Sequence, residues 1–422
     1  MPALVLHYRK TARFALNALL GAVETHPATR DLPAVLASSP GAVADAIGGL
    51  RARAPVVVAW SFYTASVAEV TEELARVRAA EPVPALHVAG GPHASADPEG
   101  TLRASFDLVA LGEGEETLPA LLARLAAGDD PRAGAGLAWL EGGRLRTTGR
   151  APPVELDAFP PCAPRAERIG PIEITRGCPW ACRFCQTPFL FRARFRHRSL
   201  DSVRRWVRWQ ASIEARDLRF LTPSALSYGS DGAGCDLAAV EALLAAARAE
   251  LGPSRRVFFG TFPSELRPEH VSPEALALVR RYCDNRTLVV GGQSGSDRLL
   301  AAMRRGHDAE AVERAARLAV EAGFVPSVDY VCGLPGETEE DRAATRAQMA
   351  RLASFGARVH AHAFMPLPGT PWAREPAGLV DPAMGALLDR LAARGGAHGQ
   401  WRRQERWGRA MARNAATGEG SG

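Results

Sequence analysis

Lysine is almost absent from this chain of 422 residues: Lys10 is the only one, so nearly all of the 51 basic side chains are arginine. Against 46 acidic side chains they leave a net charge of +5, too mild a balance to argue for nucleic acid by itself. Two arginine-rich stretches, 192–208 and 390–413, read as solvated basic faces, with phosphate or RNA contact as the sharper alternative. No run of about 18 uncharged apolar residues occurs; even residues 14–23 are interrupted by Asn17 and Gly21, which excludes a membrane-spanning helix. Apolar residues 3–6 precede Arg9 and Lys10, the reverse of a secretory signal, so a cytoplasmic location is expected. Cysteine is missing from the first 161 residues, and of the seven present three fall within eight positions. That distribution excludes a disulfide framework and points to a metal site. What remains is ordinary: 47% apolar and 23% charged, with 40 Gly and 31 Pro spread along the chain, the composition of a globular protein of two or three domains.

From residue 3 to about 127, short apolar runs alternate with helical patterns five times, beginning with ALVLHY, PAVLAS, PVVVAW, PALHVAGG and LVALGEGE. Strict alternation of strand and helix predicts a doubly wound parallel, Rossmann-like sheet over 1–130. In the third helical pattern Val67, Val70, Leu74 and Val77 recur at helical spacing and predict a buried face. Residues 134–150 read as a polar hairpin turning at Gly142 and Gly143, and the proline-rich APPVELDAFPPCAPR continues neither element, so 131–168 is expected to be hairpin and linker. A second alternating series follows, with strands expected at 172–175, 218–221, 256–260, 287–292, 327–333 and 358–364. Six strand–helix units over 169–375 predict a partial (β/α)6 barrel whose site lies at the C-terminal strand ends. Residues 376–422 read as a helical C-terminal extension with a frayed Gly/Ser tail. In it Trp401 and Trp407 lie on different sides of one helix, so one Trp is expected to anchor that helix, and deleting 400–422 is expected to cost stability while sparing the site.

The loop after the first barrel strand reads RGCPWACRFCQTP and places Cys178, Cys182 and Cys185 at spacings of four and three. Three thiolates so close can ligate three corners of one cuboidal iron–sulfur cluster and leave the fourth iron open. The alternative is zinc held by the three cysteines and His197. Cys162, Cys235, Cys283 and Cys332 have no partner spacing; Cys332 lies at a strand end near the loop, and such a cysteine is either in reach of the site or a small buried apolar residue.

The C-x3-C-x2-C loop, with Phe184 just before its last cysteine and at the end of a barrel's first strand, resembles the radical S-adenosylmethionine superfamily. GGQSGSDRLLAAMRRGH (291–307), SVDYVCGLPGET (327–338) and FMPLPGTPW (364–372) are similar to later strand ends of the branch that includes the methylthiotransferases. The resemblance implies a 4Fe-4S cluster whose open iron chelates S-adenosyl-L-methionine, reductive cleavage to a 5'-deoxyadenosyl radical, and a flavodoxin- or ferredoxin-type electron donor. By the same resemblance the backbone near Phe184 meets adenine, Gln293 and Ser294 lie near the ribose or methionine moiety, and the segment from Gly333 to Gly336 passes close to the nucleoside. For those glycines the plain alternative is a tight turn.

The first domain resembles the cobalamin-binding domain that precedes the barrel in one subgroup of this superfamily. The resemblance rests on VAWSFYTAS (58–66), HVAGGPHASADPEG (87–100) and LVALGEGEETL (108–118), each at the C-terminal end of an expected strand, where open parallel sheets bind ligands. It implies that Gly90 and Gly91 let the backbone approach cobalamin, that Ser61 or Thr64 bonds to it, and that Pro92, His93, Glu113 and Gly114 belong to the same edge. The D-x-H-x-x-G loop that supplies a cobalt ligand in many cobalamin enzymes is missing; the corresponding segment is LHYRKTARF, and neither His7 nor His93 matches. The activity implied is cobalamin-dependent methyl transfer to an unactivated carbon or phosphorus of a small molecule. Its rivals are ring closure or rearrangement without methyl transfer, methylthiotransfer to tRNA or protein, and a sensor that uses the cluster only as a switch. The methylthiotransferases carry three further cysteines upstream, which residues 1–161 lack.

Overall fold

The computed structural model describes residues 1–53, 55–232 and 234–418, so the last four residues of the expected frayed tail lie outside it. The chain divides into two compact units, Met1–Gly170 and Pro171–Gly422.

In the first unit the order is β1 (Ala3–His7), α1 (Arg13–Thr25), β2 (Ala34–Ala37), α2 (Pro40–Leu50), β3 (Val56–Ser61), α3 (Val67–Ala80), β4 (Leu86–Gly90), α4 (Pro92–Ala96), α5 (Pro98–Arg103), β5 (Leu108–Ala110), α6 (Gly114–Ala127), β6 (Leu137–Glu141) and β7 (Arg144–Thr147). The sheet order is β2-β1-β3-β4-β5-β6-β7, with the first five strands parallel. β1 and β3 are buried at every position because helices cover both faces, and side chains alternate between those faces with a period of two. Leu4 and Leu6 join α1 and α6 in one core, while Val5, Val58 and Trp60 join α2 and α3 in the other. The α3 stripe of Val70, Leu74 and Val77 is buried as its spacing predicts, with Val67 packed at its edge. The hairpin departs from expectation. β6 and β7 are not linker; they pair antiparallel onto β5 and extend the same sheet.

The second unit runs β8 (Ile172–Glu173), β9 (Thr175–Arg176), α7 (Thr187–Leu190), β10 (Arg196–His197), α8 (Leu200–Ser212), β11 (Asp217–Leu221), α9 (Leu237–Leu251), β12 (Arg256–Phe258), α10 (Pro273–Tyr282), β13 (Thr287–Gln293), α11 (Asp297–Ala302), α12 (Ala309–Glu321), β14 (Val325–Cys332), α13 (Glu339–Ser354), β15 (Arg358–Ala363), α14 (Pro382–Ala393), β16 (Ala397–Gly399) and α15 (Trp401–Gly418). β8, β11 and β12 form one parallel arc and β13 to β16 another. The two arcs are joined where Val289 N donates to Gly260 O at 2.8 Å and Leu266 N to Val289 O at 2.8 Å. Asn285 stitches the same seam, accepting from Phe259 N and donating to Phe259 O.

One expectation is corrected here. The first barrel strand is broken: β8 pairs with β11, whereas β9 turns to pair antiparallel with β10. The helical C-terminal extension is present as expected, and within it β16 adds a further parallel strand beside β15. Three residues with Gly399 at φ +138 carry too little apolar periodicity to read as a strand. Trp401 is the anchoring tryptophan, 6% exposed in the barrel core, while Trp407 is half-buried under the Arg403 guanidinium.

Candidate functional site

Gly177 shapes the cysteine loop. Its φ is +83, and a Cβ there would lie 2.1 Å from Arg194 O, so the segment that leads back into β10 needs this residue to lack a side chain. Gly177→Ala is therefore expected to destabilise the protein by more than about 1 kcal/mol and to strip bound iron; urea unfolding and iron analysis measure both, and a variant with wild-type stability and iron would contradict this account. Beyond the turn, Arg183 N donates to Met303 O at 3.1 Å, Trp372 N to Arg183 O at 3.3 Å, and Gln186 Nε2 to Pro368 O at 2.8 Å. The loop is thus tied to segments that follow β13 and β15. Trp180 pins its outer side, with the Arg267 guanidinium 3.8 Å from the ring centroid, a cation–π contact.

All three loop cysteines line one cavity of about 380 Å³ at the C-terminal ends of the barrel strands. Arg305 Nη1 donates to Cys182 Sγ at 3.6 Å and its Nη2 to Gly291 O at 2.6 Å. Arg267 is anchored by Glu269, with Nε to Oε1 at 2.5 Å, and by the Arg305 carbonyl. Two guanidiniums therefore face a thiolate site, the charge arrangement that three anionic sulfurs require. Burial pushes the Cys178 thiol up to about 11 and that of Cys185 upward, so metal coordination is what makes thiolates of them.

The donor set fits an iron–sulfur cluster better than zinc. His197 donates or accepts at both ring nitrogens, Nδ1 with Thr175 Oγ1 at 2.9 Å and Nε2 with Ser230 O at 2.7 Å; neither nitrogen is left for zinc. Three thiols without a fourth protein ligand would leave one iron of such a cluster for S-adenosylmethionine to chelate.

Of the other expected residues in this unit, Phe184 and Gln293 line the cavity; Gln293 takes a left-handed φ of +74 at the end of β13. Ser294, Gly333 and Gly336 lie outside that lining. Ser294 is 1% exposed, its hydroxyl paired with Thr345 Oγ1 and accepting from Ser296 N. What approaches Gly333 is protein: a Cβ there would lie 2.4 Å from Leu379 N. Cys332 is 3% exposed within the core and outside the cavity lining.

The sequence offered no reason to single out a further polar group in the same cavity. Glu265, Asp329, His362 and Gln404 line it; His360 Nδ1 lies 2.8 Å from Asp329 Oδ1, and Gln404 Nε2 donates to His362 Nδ1 at 3.1 Å. Burial and then the Asp329 charge push Glu265 up to about 7, and burial brings His362 down to about 4. Alternation in RVHAHAF was legible, but which face turned inward was not.

In the first unit, Ser61, Thr64, Gly90, Gly91, Pro92 and His93 gather at the C-terminal ends of β3 and β4, with Glu113 and Gly114 at the start of α6. Gly91 has φ +91, and a Cβ there would lie 3.0 Å from Phe62 N and O. Thr64 Oγ1 lies 3.3 Å from His93 Nδ1, whose ring packs on Phe62. Glu113 Oε2 accepts from Val154 N at 3.1 Å. His7 is 2% exposed, its Nε2 3.2 Å from Glu73 Oε2 and its ring 4.0 Å from that of Trp60, so it is turned into the core. The histidine at this edge, His93, is thus held by protein contacts.

Comparison with known proteins agrees with both units. Residues 172–349 match the radical SAM superfamily and residues 28–122 the B12 binding domain. A tRNA-2-methylthio-N(6)-dimethylallyladenosine synthase from Halorhodospira halophila is 33% identical over 240 residues, 55% of this chain and 48% of that protein. The chain thus spans about half the length of that relative or less for others of its kind. Among solved structures, the radical S-adenosylmethionine methyltransferase TsrM from Kitasatospora setae, with cobalamin and a [4Fe-4S] cluster bound, superposes with a TM-score of 0.68 at 19% identity, covering 89% of this chain and 75% of that one. The cobalamin-dependent S-adenosylmethionine radical enzyme OxsB superposes with a TM-score of 0.63 at 13% identity, covering 85% and 52%. No helix among the described residues is long and apolar enough to cross a membrane.

Proposed function

From a chain that joins a B12-binding domain to a radical SAM domain, whose cofactors are a 4Fe-4S cluster, S-adenosylmethionine and cobalamin, we infer a methyltransferase that acts on an unactivated carbon or phosphorus centre of a small molecule. The observation that carries this is the set of three thiols opening onto one 380 Å³ cavity in a chain with the cobalamin-type edge on its first unit. Bound together, these groups supply an adenosyl radical and a transferable methyl group, chemistry that belongs to the cofactors. The chain's own residues bind and orient. Cys178, Cys182 and Cys185 hold the cluster and Arg305 donates to a cluster sulfur. Phe184 and Gln293 flank the S-adenosylmethionine site, and Phe364 and Leu367 add apolar lining to the cavity. At the first unit, Ser61, Thr64 and the 90–93 turn hold cobalamin.

Methylthiotransfer is the weaker reading. Residues 1–161 have no cysteine for a second cluster, and residues 377–418 build α14, β16 and α15 of the barrel. The test is anaerobic reconstitution with iron, sulfide and cobalamin, followed by reductant and S-adenosylmethionine carrying a labelled methyl group. Methyl transfer predicts 5'-deoxyadenosine together with label in a product. Deoxyadenosine with no labelled product from any substrate would favour ring closure or rearrangement.

The cobalt environment is predicted separately. With His7 buried against Trp60 and Glu73, and His93 held by Thr64, bound cob(II)alamin should show no nitrogen superhyperfine coupling from a protein histidine in its EPR spectrum. A histidine signal lost in His93→Ala would refute this.

A further inference from the structure

Barrel interiors are usually filled by branched apolar side chains, yet the inward face of β14, β15 and β16 carries Ser327, Asp329, His360, His362 and His398. The register explains their meeting: Asp329 pairs with His360, and His360 with His398, on neighbouring strands, and His362 lies two residues along on the same face. One donor atom from each of Asp329, His360 and His362 lies within 4.8 Å of the others.

We propose that Asp329, His360 and His362 form a second metal site, for a divalent first-row transition ion, at the cavity that the cysteine loop also lines. Two imidazoles and one carboxylate are the donor set such ions take with open positions remaining. Ligand atoms around one ion stand about 3–4 Å apart at metal–ligand distances near 2.1 Å, so small side-chain rotations close the site. The surroundings support ligation. Gln404 fixes the His362 ring through Nδ1, the His398 ring stacks on His360 at 4.4 Å and is itself held by Ser327 Oγ at 3.0 Å. Such outer contacts orient metal ligands. Because Asp329 and His362 line the cavity, the ion's open positions face it, where an oxygen or nitrogen donor of the substrate binds. The site itself does not depend on the proposed methyl transfer.

The test uses Zn2+ as probe on the full chain carrying Cys178→Ala, Cys182→Ala and Cys185→Ala, freed of metal and checked for folding by circular dichroism. Equilibrium dialysis is expected to show about one Zn2+ per chain. Adding Asp329→Asn, His360→Gln or His362→Gln should weaken binding at least ~100-fold, and Gln404→Ala by roughly 10–100-fold. If the cysteine variant does not fold, the reconstituted wild-type chain serves: zinc should appear beside iron and vanish in His360→Gln and His362→Gln while iron stays. Folded cysteine variant without zinc, zinc indifferent to the histidine changes, or zinc that rises only as iron is lost would overturn the proposal.

Discussion

Replacing Cys178, Cys182 or Cys185 by alanine is expected to remove the whole cluster, taking iron from about four per chain to near zero. The effect is all-or-none because two thiolates leave two irons of the cuboid without protein ligands. His197 cannot substitute, since Thr175 and Ser230 occupy both its nitrogens. Cys162→Ala and Cys332→Ala should keep the iron: these residues are 0% and 3% exposed and lie outside the cavity lining. Iron and sulfide analysis with the visible absorption spectrum measures this, and deoxyadenosine formation should fall with the iron. Stoichiometric zinc without iron in anaerobically purified protein would overturn the assignment.

Deleting residues 400–422 is expected to abolish both the folded barrel and S-adenosylmethionine cleavage. This reverses what the arginine-rich tail suggests from its sequence, namely loss of stability with the site spared. The structure puts Trp401 in the core and Gln404 on the cavity wall, where its Oε1 accepts from Ala363 N at 3.0 Å and its Nε2 holds His362. Glu405 Oε1 accepts from Val380 N at 2.8 Å and fixes the chain leading into α14. Trp401→Ala alone should cost about 3–5 kcal/mol, measurable by urea unfolding, whereas Arg406→Ala on the exposed side should change little. A truncated chain with a native circular dichroism spectrum and full deoxyadenosine formation would show that α15 is dispensable.

The two predictions divide along what could be read in the sequence. Apolar strands alternating with helices determined the doubly wound sheet of the first unit, because a strand covered on both faces has few polar positions to spare; the same alternation determined the barrel, although β14 and β15 carry Asp329, His360 and His362. The spacing of Cys178, Cys182 and Cys185 determined the cluster, because local ligands need no knowledge of the rest of the chain. Only tertiary structure decided what depends on pairing between distant segments. The hairpin at 137–147 became a sheet edge because β5 offered unpaired backbone groups, and a three-residue segment became β16 because β15 offered the same. The guanidinium of Arg305 met Cys182 across 123 positions, and Asp329 met His360 because strand register, which no local pattern records, set them side by side.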